Sequence, residues 1–334
     1  MVKKKILLVG GAGYIGHKVT DYLLRMGHSV RCLDLCLYEN GSSIVNFLDN
    51  PDYSFFYGDM CNEKTFLDSL SDITDVVFLA GLVGDPITKK YPEASNLIND
   101  LGVINCINQL NGRGLNQVIF ISTCSNYGLI PDGVLADEKY ELAPLSLYAK
   151  SKVAAETHIL GGKGSVDYVP TVLRFATAFG LAPRMRFDLT VNEFSRELAL
   201  GKDLLVFDAD TWRPYCHVND FARLINMVLS ANKDDVGFEV FNAGGDINNY
   251  TKQGIIDLIL DYVPGVEKNV SYKAQGADPR NYKVNFSKVK DVLGFEPKYT
   301  VRDGVVEIVD AIKSHIFDFA DVRKNYHGNY EINY

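Results

Sequence analysis

An α/β fold on a doubly wound parallel sheet is what this sequence predicts, and three observations carry that expectation. Short, nearly continuous apolar runs alternate with helix-like segments through the first half of the chain, as strands covered on both faces require. A glycine turn, Gly10-Gly11-Ala12-Gly13-Tyr14-Ile15-Gly16, joins the first apolar run, Ile6–Val9, to a helix-like segment, His17–Met26. The second apolar run, from Ser29, ends in an acid, Asp34, 18 residues after Gly16.

Each element has a local reason. Gly10 permits the sharp turn, Gly13 lets a ligand approach the backbone, and Gly16 lets the helix pack close to the strand. The helix start offers unpaired N–H groups and the positive end of its dipole, which suits a pyrophosphate. A carboxylate at Asp34 accepts from adenosine ribose hydroxyls and repels a 2′-phosphate, so NAD is expected over NADP. Further strands are expected at Tyr53–Tyr57, Val76–Leu79 and Val118–Ser122, with helices at Ser42–Leu48, Lys64–Leu70 and Tyr91–Leu110. A sheet of this Rossmann type puts its crevice at the carboxyl ends of the strands.

Residues at those ends are the first candidates for a cofactor site. Asp59, followed by Met60, suits an adenine contact or a helix N-cap before Lys64. Leu79, Ala80 and Gly81 end the fourth strand, and the small residues admit a ribose. Val83, Gly84 and Asp85 follow toward a sugar end, where Asp85 is either a site acid or a turn residue before Pro86. Asn99 sits on the 91–110 helix, facing crevice or water.

Two segments carry chemistry. Ser122-Thr123-Cys124-Ser125 ends the fifth strand, and Tyr148-Ala-Lys-Ser-Lys152 opens a helix running to Leu160. Tyr148 and Lys152, four apart, share one helix face. An ammonium beside a phenol is expected to lower its pKa, so that it takes a proton from a sugar hydroxyl while hydride leaves the same carbon. Thr123 is expected to orient the substrate oxygen.

The quoted residues, together with Tyr127-Gly128 and Arg213-Pro-Tyr-Cys-His217-Val-Asn-Asp220, resemble the extended short-chain dehydrogenase/reductases over residues 4–315, and among them the nucleotide-sugar epimerases and dehydratases. The resemblance implies bound NAD contacting Gly10, Gly13, Tyr14, Ile15, Gly16, Asp34, Asp59, Met60, Leu79, Ala80, Gly81, Asn99, Tyr148 and Lys152, with Thr123, Tyr148 and Lys152 catalytic. It implies a nucleotide-diphosphate sugar held near Val83, Gly84, Asp85, Cys124, Ser125, Thr177, Arg184, Arg186, Arg213, Asp278 and Arg280. Family members often carry an asparagine where Ala176-Thr177 stands; Arg184 and Arg186 either compensate on the diphosphate or belong to a solvated loop. The 4,6-dehydratases carry Asp-Glu after the threonine. Here Cys124 and Ser125 offer no carboxyl, which disfavours that reaction.

The resemblance therefore implies an epimerase or C4 dehydrogenase acting through a 4-keto sugar. The 82–85 and 184–188 runs resemble a subgroup serving bacterial surface-polysaccharide sugars, heptose C4 dehydrogenases included. A 4-ketoreductase exchanging NAD(P)H is the rival enzyme, and a silent NAD-binding regulatory protein the rival of another class.

The second half is expected to interleave. Residues 1–176 and 211–243 form the dinucleotide part, 177–210 and 244–316 the substrate part, and 317–334 a tail with five aromatics that packs on a partner subunit or is partly disordered. His217 is expected to be structural. A homodimer through the 91–110 and 148–160 helices follows from the resemblance.

Bulk properties exclude several classes. In 334 residues, 47% hydrophobic and 23% charged, there is material for a large core. A net charge of −8 argues against nucleic acid as partner. No apolar stretch reaches the roughly 20 residues of a membrane span, and Met1-Val-Lys-Lys-Lys5 lacks a signal peptide's long apolar run. Six scattered cysteines without a CxxC pair suit a reducing cytoplasm and no metal.

Overall fold

The computed structural model describes residues 2–276, 278 and 280–334. Seven parallel strands form the central sheet: β1 (Lys5–Val9), β2 (Ser29–Asp34), β3 (Tyr53–Tyr57), β4 (Asp75–Phe78), β5 (Gln117–Thr123), β6 (Val169–Phe175) and β7 (Glu239–Ala243), in the order β7-β6-β5-β4-β1-β2-β3. β1 pairs with β2 on one side and β4 on the other. The strand order reverses at that point, and a crevice opens beyond the carboxyl ends. β1, β4 and β5 are buried along almost their whole length, and separate apolar clusters cover the two faces of the sheet. This is why their sequences read as unbroken apolar runs.

Helix α1 (Tyr14–Arg25) leaves the glycine turn and packs on α2 (Val218–Ser230). The expected 91–110 helix is not continuous. Pro92–Ser95 and Val103–Asn108 are α-helical, and Asn96–Gly102 between them is a π turn, a widening common where a side chain is re-aimed. A Cβ on Gly102 would stand 2.4 Å from the Cys61 sulfur, so the close approach of this segment to the sheet edge needs glycine.

The strand Trp212–His217 stays outside the main sheet. It pairs with Thr177–Phe179 and Asn249–Thr251, while Leu204–Phe207 pairs with Val270–Lys273. The helices Thr190–Ala199, Lys252–Tyr262 and Val301–Lys313 pack on one another beside these small sheets, and Thr177, Thr190 and Arg213 reach the crevice at the carboxyl ends of the central strands. No helix among the described residues is long and apolar enough to cross a membrane.

Candidate active site

A cavity of about 480 Å³ runs from the glycine turn past the ends of β4 and β5 to the small sheets. Its floor is backbone. A Cβ on Gly10 would meet Ala80 backbone at 2.7 Å, and one on Gly16 would meet the Gly10 carbonyl at 2.5 Å. At Gly13 the nearest atom would be 3.4 Å away, so space for a ligand remains beside that residue. Helix α1 has no side-chain cap and no acid in its first turn, which leaves its positive end free to receive an anion. Asn40 Nδ2 and Ser43 Oγ both donate to the Ala12 carbonyl, each at 2.9 Å, and pin the turn.

Asp34 ends β2 in this cavity. Its carboxylate accepts from the Ala12 and Cys36 N–H groups at 3.0 and 2.8 Å. Burial raises its pKa, opposed by those two N–H groups and by the Arg184 guanidinium. Asp59 and Met60 lie at the same end. Asp59 does not cap the following helix; Asn62 does, accepting from Thr65 N–H at 3.0 Å. These features fit a dinucleotide: a cradle for the pyrophosphate at Gly13, and carboxylates at Asp34 and Asp59 for the adenosine. Tyr14, Ile15, Leu79, Ala80 and Gly81 also line the cavity. The Tyr14 phenol donates to Gly180 O and accepts from Asn192, so it braces the floor.

Asn99 does not reach the cavity. Its amide is spent on Leu82, accepting from Leu82 N–H at 2.8 Å and donating to Leu82 O at 2.9 Å. The π turn aims it there, and it fixes the loop that carries Val83, Gly84 and Asp85 to the cavity wall.

Thr123, Ser125, Tyr148 and Lys152 meet at the far end. Ser146 caps the Leu147–Gly161 helix, accepting from Ala149 N–H at 3.2 Å, which sets Tyr148 in the first turn and Lys152 one turn on. Lys152 is buried and its Nζ donates to Ile121 O at 2.8 Å. It lies 6.0 Å from the centre of the Tyr148 ring. The electrostatics correct one expectation. Burial pushes the Tyr148 phenol well above its ordinary value, and Arg186 and the Thr123 hydroxyl only partly oppose this. Burial pushes Lys152 down to about 8. The protein alone therefore holds a neutral phenol beside an ammonium that gives up its proton easily, not a preformed phenolate.

Cys124 is a second correction. It is fully buried, with its thiol donating to Arg174 O at 3.2 Å beneath the sheet, and it does not line the cavity. The reason is that β5 ends at Thr123 and Cys124 opens the 3₁₀ turn Cys124–Tyr127, which carries its side chain into the core. Sequence inspection did not find Tyr282, whose hydroxyl stands 3.4 Å from Ser125 Oγ.

The sugar end carries paired charges. Arg280 binds Asp278 at 2.7 Å and Asp85 at 2.9 Å, Arg213 contacts Asp278 at 3.1 Å, and Arg186 grips Asp188 at 2.6 and 2.7 Å. Thr177 lines the same stretch. The Asp85 Oδ1 atom is buried without a hydrogen-bond partner among the described residues, so a donor from a ligand has a place to bind. Arg184 is buried too, but it stacks on Tyr38 at 4.5 Å and acts on Asp34. It therefore stands at the Asp34 end of the cavity. His217 is structural: Nδ1 accepts from Asn219 N–H at 3.1 Å and Nε2 meets Glu307 at 2.7 Å.

The tail packs on its own chain, with Ala320 and Tyr326 buried and the Phe187 N–H donating to His327 O at 2.8 Å. Asn329, Tyr330 and Tyr334 line the cavity. Of the three, the sequence pointed only to the aromatic Tyr330 and Tyr334.

The sequence profile of the NAD dependent epimerase/dehydratase family matches residues 6–244. The chain belongs to that family. Among relatives, it is 27% identical over 311 residues to the low-salt glycan biosynthesis protein Agl12 of Haloferax volcanii, spanning 91% of this chain and 97% of that one. It is 26% identical over 318 residues to a dTDP-glucose 4,6-dehydratase of Streptomyces niveus, spanning 92% of each. The UDP-glucose 4-epimerase of Thermotoga maritima, solved with UDP-glucose, superposes with a TM-score of 0.83 at 25% identity, over 93% of this chain and 99% of that one. The family's cofactor is NAD, and the cradle at Gly13 with Asp34 and Asp59 suits it. Among the described residues no cluster of His, Cys, Asp and Glu is suited to a metal ion.

Proposed function

We propose that the protein is an NAD-dependent nucleotide-sugar 4-epimerase or C4 dehydrogenase, working through a 4-keto sugar and serving surface-glycan synthesis. The observation that carries this is the meeting of Thr123, Tyr148 and Lys152 at one end of the dinucleotide cavity, beside a wall of paired arginines and acids. NAD bound along the floor would supply the hydride acceptor. The Tyr148 oxygen takes the proton of the sugar hydroxyl, and the Thr123 hydroxyl orients that oxygen. Lys152, donating to Ile121 O, places positive charge beneath the phenol and favours its ionised form. The positive charge of an oxidised nicotinamide would add to it.

The place after Thr123 argues against 4,6-dehydration. Cys124 points into the core, and Ser125 carries no acid. Asp85 and Asp278 at the sugar end are both tied to Arg280. We assign Arg213 and Arg280 to the diphosphate, bidentate donors suiting its oxygens. The relative named for glycan biosynthesis supports the role in surface glycans.

The test is Tyr148→Phe, assayed on a panel of nucleotide sugars by NMR of the products. We expect turnover to fall by about 10²–10⁴-fold, the usual worth of a general base, with NAD affinity unchanged. Turnover at the level of the unaltered protein would end this assignment.

A further inference from the structure

The last residues of the chain lie along the open side of the dinucleotide cavity. They are anchored upstream by Arg196 to Asp321 at 2.8 Å and within the segment by Lys90 to Glu331 at 3.1 Å. The Asn329 amide then joins two walls: Oδ1 accepts from Arg184 Nη2 at 2.7 Å, and Nδ2 donates to Val83 O at 2.9 Å. At the adenosine end, the Tyr334 hydroxyl donates to Asp59 Oδ2 at 3.0 Å. One segment therefore reaches from the Val83 loop to the Asp59 carboxylate. Beneath it, the Arg184 Nε is buried and has no hydrogen-bond partner among the described residues, and the guanidinium lines the cavity. A buried, unpaired donor on a cation calls for an anionic partner. The dinucleotide's pyrophosphate, drawn to the same cavity by the start of α1, has that chemistry.

We propose that residues 327–334 form an additional wall of the NAD site, a strap in which Asn329 holds Arg184 over the dinucleotide and Tyr334 closes its adenosine end. The proposal rests on the NAD site described above. Its consequence is slow release: the dinucleotide cannot leave by the open side until the Asn329 and Tyr334 contacts break. A resident cofactor suits a reaction that returns its hydride within one turnover.

The test uses the full chain loaded with NADH and chased with excess NAD, following the loss of nicotinamide fluorescence by stopped flow. Asn329→Ala removes a hydrogen bond to a buried charge, and we expect release to be about tenfold faster. Tyr334→Phe keeps the ring but loses the Asp59 contact, and about threefold is expected. Val322→Ala, on an exposed part of the tail, is expected to release at the unaltered rate. Should Asn329→Ala melt early, hydrogen exchange on the unaltered protein decides: NAD is expected to slow exchange of the 327–334 amides. Release within twofold of the unaltered rate in a stable Asn329→Ala, or exchange that NAD leaves unchanged, overturns the strap while the NAD site stands. Failure of the unaltered protein to bind NADH overturns both.

Discussion

The floor of the cavity is backbone drawn from one stretch of chain, residues 10–16, while its roof is drawn from distant stretches, among them Asp85, Arg186, Arg213, Arg280, Tyr282 and Asn329. The floor works by absence: Gly10 and Gly16 leave no room for a Cβ, and Gly13 leaves room for a ligand. The roof works by ion pairs and hydrogen bonds, several of which join residues far apart in sequence, such as Arg280 to Asp85 and Arg184 to Asn329. A floor of this kind is rigid and holds the same ligand in any relative with the same turn. A roof of this kind can change its ligand by changing a few side chains, which is how one family serves several nucleotide sugars.

That contrast can be broken or sharpened by experiment. The largest effect is expected at the floor. Gly16→Ala places a methyl group 2.5 Å from a backbone carbonyl, which must shift the turn. NAD affinity should fall by about tenfold to 100-fold, the worth of overpacking by 1–3 kcal/mol, as read by calorimetric titration. Normal NAD binding would show that the floor yields.

At the roof, Arg280→Leu removes the partner of Asp85 and Asp278. KM for the nucleotide sugar should rise by about tenfold or more, with NAD affinity untouched. A loss confined to NAD binding would erase the distinction between floor and roof.

Lys152 lies between the two regions and has a pH signature. Its ordinary value is 10.5 and burial holds it at about 8 in the folded protein. Between those values the unfolded chain keeps a proton that the folded chain has lost, so stability rises with pH across the window. Below about 8 the cost of the buried ammonium is present in full. Lys152→Met lacks that cost. Compared by chemical denaturation, the unaltered protein should gain on the variant by about 1.4 kcal/mol per pH unit between pH 8 and 10.5. A difference that stays flat with pH would mean that Lys152 is not desolvated.

The smallest effect is expected at Cys124. Because its thiol faces Arg174 O in the core, Cys124→Ala should cost about 1 kcal/mol of stability and leave KM within about twofold. A large change in KM would put the side chain back in the cavity.

Reading the sequence found what is local. The turn, Asp34 and the strand ends sit at fixed offsets, because a strand, a tight turn and a helix start are separated by a few residues and obey local sterics. It also placed Tyr148 and Lys152 on one face, since helical spacing alone decides that. It misjudged Asn99 and Cys124 for related reasons. A π turn re-aimed the first, and a 3₁₀ turn directly after β5 buried the second. For Tyr148 burial outweighs the groups that lower its pKa, and those are Arg186 and Thr123, which no spacing reveals.

By itself, then, the sequence determined the α/β class, the glycine floor, the acid of the second strand and the Thr-Tyr-Lys set, because each follows from backbone geometry over a few residues. Only the tertiary structure decided which charges pair across the roof, which way Cys124 faces, and that the tail lies over the cavity of its own chain. Those depend on contacts between residues such as Asp59 and Tyr334, 275 positions apart, and no local rule reaches across such a separation.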